Sequence, residues 1–279
     1  MRVLGAAVGL MALAMGAPAL AAQGACTRAS LQAAVDSYIA AQTKGDPKAL
    51  LSAASLKYIE NRAAMDPKAG VLGKPQKIDF HRSIYDVQTC ESFTEVIITD
   101  PAHPYVLGVH QKVEGGRVAV LDLLVTDHDD WLFAPVRTLA YSKAEDWSVL
   151  PVARRSSRAA LIAGAGGYFD YFDDKSIKDK VPWGHPCRRL EGAIYTGKGA
   201  PEDGCDVGVP DNVKIVDRHY VVDEDLGAVV GLVNFGTNGL PDSHLFRLED
   251  GKFRFIHTIT VCKTPNCGFP VPKVLSEAP

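Results

Sequence analysis

Two histidines, His244 and His257, stand six residues to either side of the dipeptide Asp250-Gly251, in the stretch DSHLFRLEDGKFRFIHTIT. Imidazole is the side chain whose ordinary pKa lies nearest neutrality, so a pair of imidazoles can accept and return protons at physiological pH. Asp-Gly favours the positive φ angles of a two-residue hairpin turn. In such a hairpin the numbers of cross-strand partners sum to 501. Leu248 then faces Phe253, Phe246 faces Phe255 and His244 faces His257, all on one face of the ribbon. Opposed Cβ atoms would be ~4.5–5.5 Å apart. Desolvation and mutual repulsion would lower both pKa values and leave at least one ring neutral as a general base. These two histidines are the candidate catalytic residues, in chemistry that calls for neither a metal nor an organic cofactor.

Further polar and aromatic groups could complete a binding pocket. His219 shares strand parity with Asp217 and Asp223, either of which could orient it. Asn234 could donate to a developing oxyanion. Tyr168 and Tyr171 could close the pocket from a helix, and Phe246 and Phe255 suit an apolar guest. A three-histidine metal site from His219, His244 and His257 would require all three rings to converge within ~2.1 Å of one ion. No carboxylate pattern demands it, and the expected metal set is none. DHDDW, from Asp127 to Trp131, has ligand-type residues but reads as a polar linker. GAGGYF lacks the last glycine and the preceding strand of a phosphate-binding loop, and there is no G-x-S-x-G elbow.

These groups must be positioned by a chain written twice. AHPYVLGVHQKVEGGRVAVLDLLVT lies over NGLPDSHLFRLEDGKFRFIHTITVC without a gap, at an offset of 135. Gly115-Gly116 matches Asp250-Gly251, and Val109 and Asp122 stand where the second copy has His244 and His257. Asp122 could therefore mark a separate site in the first copy. Upstream of each hairpin lies an amphipathic helical pattern: Leu31, Val35, Tyr38 and Ile39 in one copy, Leu161, Ile162, Ala165, Phe169 and Phe172 in the other. Asp46-Pro47 is expected to start a second helix reaching about Ala64. Each unit reads as helices followed by an antiparallel meander, which makes the chain α+β with helices on curved sheets. The expected division is a signal peptide at 1–22, a first domain at 26–126, a connection at 127–155 that packs over one domain, a second domain at 156–262 and a tail at 263–279.

The opening residues MRVLGAAVGLMALAMGAPALAAQ have one early Arg, an apolar run and small residues at the end, the layout of a cleaved secretory signal. Six cysteines in the remainder suit an oxidising compartment, periplasmic or secreted. Sequence leaves their pairing open; the favoured set is Cys26–Cys90, Cys187–Cys205 and Cys262–Cys267. A net charge of −3 and the lack of a basic stripe argue against nucleic acid as a partner. After cleavage no membrane association is expected.

The helix-and-meander pattern, with LQAAVDSYIAAQTKGDPKALLSAAS at its start, resembles the nuclear-transport-factor-2-like superfamily, the SnoaL-like cone fold. The C-terminal half, through RHYVVDEDLGAVVGLVNF and DSHLFRLEDGKFRFIHTITVC, is similar to an uncharacterised family of secreted fungal and bacterial proteins. The resemblance implies two tandem cone-shaped α+β barrels. It is compatible with a cofactor-independent lyase, dehydratase or isomerase acting on a small apolar molecule, such as a lignin-derived aromatic. The alternatives, in order, are a non-catalytic binder of small molecules and a structural or interaction module, and such sheets often form homodimers through their faces.

Overall fold

A computed structural model describes residues 26–275. The segment read as a signal peptide, residues 1–22, lies outside the described residues.

Helix α1 (Arg28–Lys44) begins where Thr27 and Ser30 form a reciprocal capping box. It stops at Gly45, whose left-handed conformation lets its N–H close the last turn. Gly45 is required twice over, because a Cβ there would lie 2.4 Å from the Pro75 nitrogen. The strands β1 (Ser52–Glu60), β2 (Ala63–Ala64), β3 (Phe80–Asp86), β4 (Glu91–Ile98), β5 (Tyr105–Glu114) and β6 (Arg117–Thr126) follow. Their order in the sheet is β2-β1-β6-β5-β4-β3, with β1 parallel to β6. Helix α2 (Pro135–Ala144) lies in the connecting segment. Helix α3 (Arg158–Asp173), capped by Ser157, opens the second unit. It is followed by β7 (Arg188–Glu191), β8 (Ile194–Tyr195), β9 (Ile215–Asp223), β10 (Ala228–Phe235), β11 (Leu240–Glu249) and β12 (Lys252–Thr260). The second sheet has the order β8-β7-β12-β11-β10-β9, with β7 parallel to β12. The two sheets thus repeat one topology, and the chain is α+β with two tandem units.

Two expectations need correction. The helix placed at Pro47–Ala64 is a single 3-10 turn, Pro47–Ala49, and the rest is β1 and β2. Leu56 and Tyr58, two residues apart, both pack on the first core, which is strand rather than helix periodicity. Pairing with β6 also satisfies backbone groups that β6 would otherwise present at an open edge. The sheets are accordingly mixed, not purely antiparallel.

Each long helix covers one face of its own sheet. Leu31, Ala34 and Tyr38 of α1 pack on Val96, Leu107, Val109 and Leu121. On the other side of the pseudo-repeat, Leu161, Tyr168, Phe169 and Phe172 of α3 pack on Val229, Phe246, Phe253 and Ile256. The opposite faces of the two sheets pack against each other through Ile84 and Phe93 from the first unit and Val221, Val230, Leu232 and Leu245 from the second. The residues of this seam are covered within the chain.

The seam has reciprocal clamps. Arg28 at the start of α1 donates to both carboxylate oxygens of Asp223, each at 2.9 Å. Arg158 at the start of α3 donates to both oxygens of Asp86, each at 2.7 Å. Tyr85 N–H donates to Asp223, and Val222 N–H donates to Asp86. This is the pattern of a two-fold interface, in which each partner offers the same groups. The connection, rather than lying over one unit, is wedged at the seam. Arg82 donates to the Ser142 carbonyl, Tyr141 stacks on Tyr195, and Trp147 stacks on Phe255.

All six cysteines are paired, as Cys26–Cys90, Cys187–Cys205 and Cys262–Cys267. Among the described residues no helix is long and apolar enough to cross a membrane. Disulfides of this number are compatible with an exported protein.

Candidate functional site

The hairpin turn forms as expected, with Asp250 and Gly251 at φ 52° and 74°. Leu248 faces Phe253, but the register shifts between Arg247 and Leu248, so that Arg247 pairs with Phe255. Beyond this bulge His244 faces Thr258, and Leu245 faces His257. One extra residue in a strand reverses the side-chain parity of everything past it. His244 and His257 therefore lie on opposite faces of the sheet, and the imidazole pair is not formed. Phe246 stacks on Phe253 in the second unit's core, while Phe255 lies on the other face against Trp147. The first copy has the same shift, between Lys112 and Val113.

His244 points into the interior between β11 and α3, where it is 1% exposed. Its Nδ1 lies 2.6 Å from Asp242 Oδ1. The other oxygen of Asp242 accepts from the Thr260 hydroxyl, directly across the hairpin. Asp242 thus engages the ring through Nδ1, and Nε2 is the ring nitrogen that it leaves unengaged. Around the ring lie Phe169, Tyr168, Phe172 and Phe246, with centroids 5.3 to 6.1 Å away. Gly231, across β10 and β11 from His244, gives Phe169 its place; a Cβ there would come within 2.5 Å of the Phe169 ring. The Tyr168 hydroxyl lies 3.4 Å from Arg189 Nη1, and burial pushes the phenol up to about 12, so it remains a neutral donor. Arg189 is itself buried and also donates to the carbonyls of Cys205 and Val207. Residues 196–214, which include those carbonyls, contain no helix or strand and are tied down by Cys187–Cys205. Val209 and Val213 of this segment pack on the same core.

His257 lies on the seam between the units. Its Nδ1 is 3.1 Å from both oxygens of Glu95, and its Nε2 is 2.7 Å from Glu145. Arg82 stands 3.5 Å from each carboxylate and lies over the Trp147 ring. Burial disfavours the charged ring, yet Glu145 and Glu95 outweigh it and raise His257 to about 9. The expected lowering is reversed: His257 is a fixed cation, not a base. Burial tends to raise the Glu145 carboxyl, but His257 and Arg82 hold it below the usual range.

The other sequence candidates separate likewise. His219 meets neither Asp217 nor Asp223; its Nε2 is 2.8 Å from Glu91, whose carboxyl is held at about 2 against its burial by His110 and His219. Asp217 accepts from Asn234 and Asp223 accepts from Arg28, so Asn234 is at the seam and not beside His244. Asn234 also accepts from Arg62, which stands 3.9 Å from Asp122. Asp122 is partly buried and its pKa is raised by that burial. Tyr171 packs on Trp183 at the outer end of the aromatic core. Hence His219, His244 and His257 do not converge on one ion. Of the candidates, the structure joins His244, Tyr168 and Phe246.

Asp242 was legible but unread: it stands two residues before His244, hence on the same face of a strand. Arg189, Glu95 and Glu145 come from distant segments, and no local spacing announces them.

Residues 154–260, which run from just before α3 to the end of β12, match a family described as a domain of unknown function, DUF8021. No curated protein matches the chain.

Proposed function

We propose that the chain is an exported acid–base enzyme, a cofactor-independent lyase, dehydratase or isomerase, whose base is His244 in the interior of the second unit. The observation that carries this reading is the Asp242–His244 contact of 2.6 Å inside an aromatic enclosure. Asp242 fixes the tautomer and orients the ring, and Nε2 is left to take a proton. Tyr168, whose ring lies against His244, and Arg189, which donates to its hydroxyl, supply a neutral donor and a cation suited to an oxygen that gains negative charge.

The substrate class that fits is a small aryl carbonyl compound. His244 Nε2 removes a proton from the carbon next to the carbonyl. The C–H electron pair becomes the new C=C bond and the carbonyl π pair moves to the oxygen, forming an enolate held by Tyr168 and Arg189. Return of the proton to another carbon gives an isomer; expulsion of a β-leaving group gives a lyase or dehydratase product. The interior is closed by aromatic side chains, so the substrate enters by displacing segment 196–214, which hangs on Arg189 and the Cys187–Cys205 bond. The identical strand order of the units, with one long helix on one face of each sheet, supports the further reading that both are nuclear-transport-factor-2-like cones.

The test is a titration of the ring-labelled protein with acetophenone and 2-naphthol, followed by NMR of the histidine rings. The reading expects the His244 signals to move and those of His257 to stay. If neither compound disturbs His244, or if its Nδ1 carries no proton, the reading fails.

A further inference from the structure

Glu91, His110 and His219 meet at the seam, on the side of the first sheet away from α1. Glu91 opens β4, His110 lies in the middle of β5, and His219 comes from β9 of the second unit. The Glu91 Oε2 atom is 2.8 Å from His219 Nε2 and 3.7 Å from His110 Nε2. One ligand atom from each residue lies within 4.8 Å of the other two. Four ligands at ~2.0–2.1 Å around a tetrahedral ion are ~3.3 Å apart, and the two carboxylate contacts fall on either side of that value.

Three features mark the cluster as more than an ion pair. His110 Nε2 is buried and has no hydrogen-bond partner, an unsatisfied nitrogen turned toward the Glu91 carboxylate. Glu91 follows Cys90, whose disulfide to Cys26 pins the strand end to the start of α1. The side chain of His219 is 50% exposed, whereas those of Glu91 and His110 are 7% and 12% exposed. An ion held there would have two protein ligands fixed in the first unit, one supplied by the second, and its remaining position open to solvent.

We propose that Glu91, His110 and His219 form a binding site for one divalent first-row transition-metal ion, which cross-links the two units. Two imidazole nitrogens and one carboxylate oxygen suit zinc, copper, nickel or cobalt, and disfavour calcium and magnesium, which take oxygen ligands. The site lies on the opposite side of the second sheet from His244, so it stands or falls independently of the acid–base reading.

The test is calorimetric titration of zinc chloride and cobalt chloride into the purified protein after chelator treatment, with the visible spectrum of the cobalt form. We expect one ion per chain, four- or five-coordinate cobalt absorption, and a rise in the thermal midpoint with zinc. His219→Ala changes a half-exposed side chain and is expected to keep the fold, and His110→Gln keeps the packing volume. Each should weaken zinc binding at least tenfold and abolish the zinc-dependent rise. His128→Ala, in the exposed Asp127-His128-Asp129 turn, should leave binding unchanged. No saturable zinc binding, or binding that survives both His219→Ala and His110→Gln, or binding lost in His128→Ala alone, would overturn the proposal.

Discussion

His244 and His257 lie on neighbouring strands of one hairpin and point to opposite faces of its sheet. A single register shift between Arg247 and Leu248 separates them. His244 joins Asp242 inside the second unit, and His257 is held between Glu95 and Glu145 at the seam. The division is physical as well as geometric. One ring has a single nitrogen engaged by a carboxylate, while both nitrogens of the other are so engaged.

The seam should weaken in alkali. His257 has a folded pKa of about 9, above its ordinary 6.5. Its contribution to stability is therefore complete below about pH 6.5 and lost as pH rises through about 9. The raised pKa corresponds to roughly 3 kcal/mol. Thermal unfolding followed from pH 6 to 10 should show the midpoint falling by several degrees in that window. In His257→Ala, which leaves two buried carboxylates facing each other, the starting stability should be lower by roughly 3–5 kcal/mol and the alkaline slope absent. Glu145 works in the other direction: its carboxyl is held below 4.5, so its contribution is lost as pH falls below that value.

The reciprocal arginine clamps should prove unequal within each pair and equal between pairs. Asp86 accepts from Arg158 and from the backbone N–H groups of Val222, Gln88 and Thr89. Asp223 accepts from Arg28, Tyr85 and Leu226. Both aspartates are 1% exposed, whereas the arginines reach solvent. Asp86→Ala or Asp223→Ala should each cost roughly 2–4 kcal/mol, and Arg158→Ala or Arg28→Ala about half as much. Chemical denaturation of the four variants measures this directly. An arginine variant less stable than its aspartate partner would contradict the hydrogen-bond assignment.

Most of the architecture is legible in the sequence. The duplicated hairpin gave two units, the Gly115-Gly116 and Asp250-Gly251 turns gave their centres, and the six cysteines pair as the favoured set has them. The site was legible only in part, because the bulge is a property of the paired strands and not of either strand alone. Counting from the turn worked as far as Leu248 and Phe253, then failed for every residue beyond. The error at Pro47–Ala64 has a similar origin: β1 forms where β6 offers it a partner, a long-range demand that Leu56 and Tyr58 alone do not announce. Glu95 and Glu145 reach His257 from 162 and 112 residues away.

Segment 196–214 should loosen when its tether is cut. Cys187 and Cys205 are 18 residues apart, and a loop of that size contributes about 3 kcal/mol in the chain-entropy picture. In the Cys187→Ser, Cys205→Ser double variant, amide exchange should quicken in 196–214 and leave β10 and β11 protected. Unchanged exchange in the segment would mean that Arg189 and Val213 hold it without the disulfide, and that access to His244 lies elsewhere.

The most direct test is whether the protein moves a proton on a carbon acid. Acetophenone and 1-indanone incubated in deuterium oxide would be followed by proton NMR for loss of the hydrogens next to the carbonyl. Exchange above the buffer rate is expected with the native protein. It should fall at least a hundredfold in His244→Ala and at least tenfold in Asp242→Asn, and persist in His257→Gln. Exchange that His244→Ala leaves intact, or exchange lost with His257→Gln in a protein that still folds, would contradict the assignment of His244 as the base.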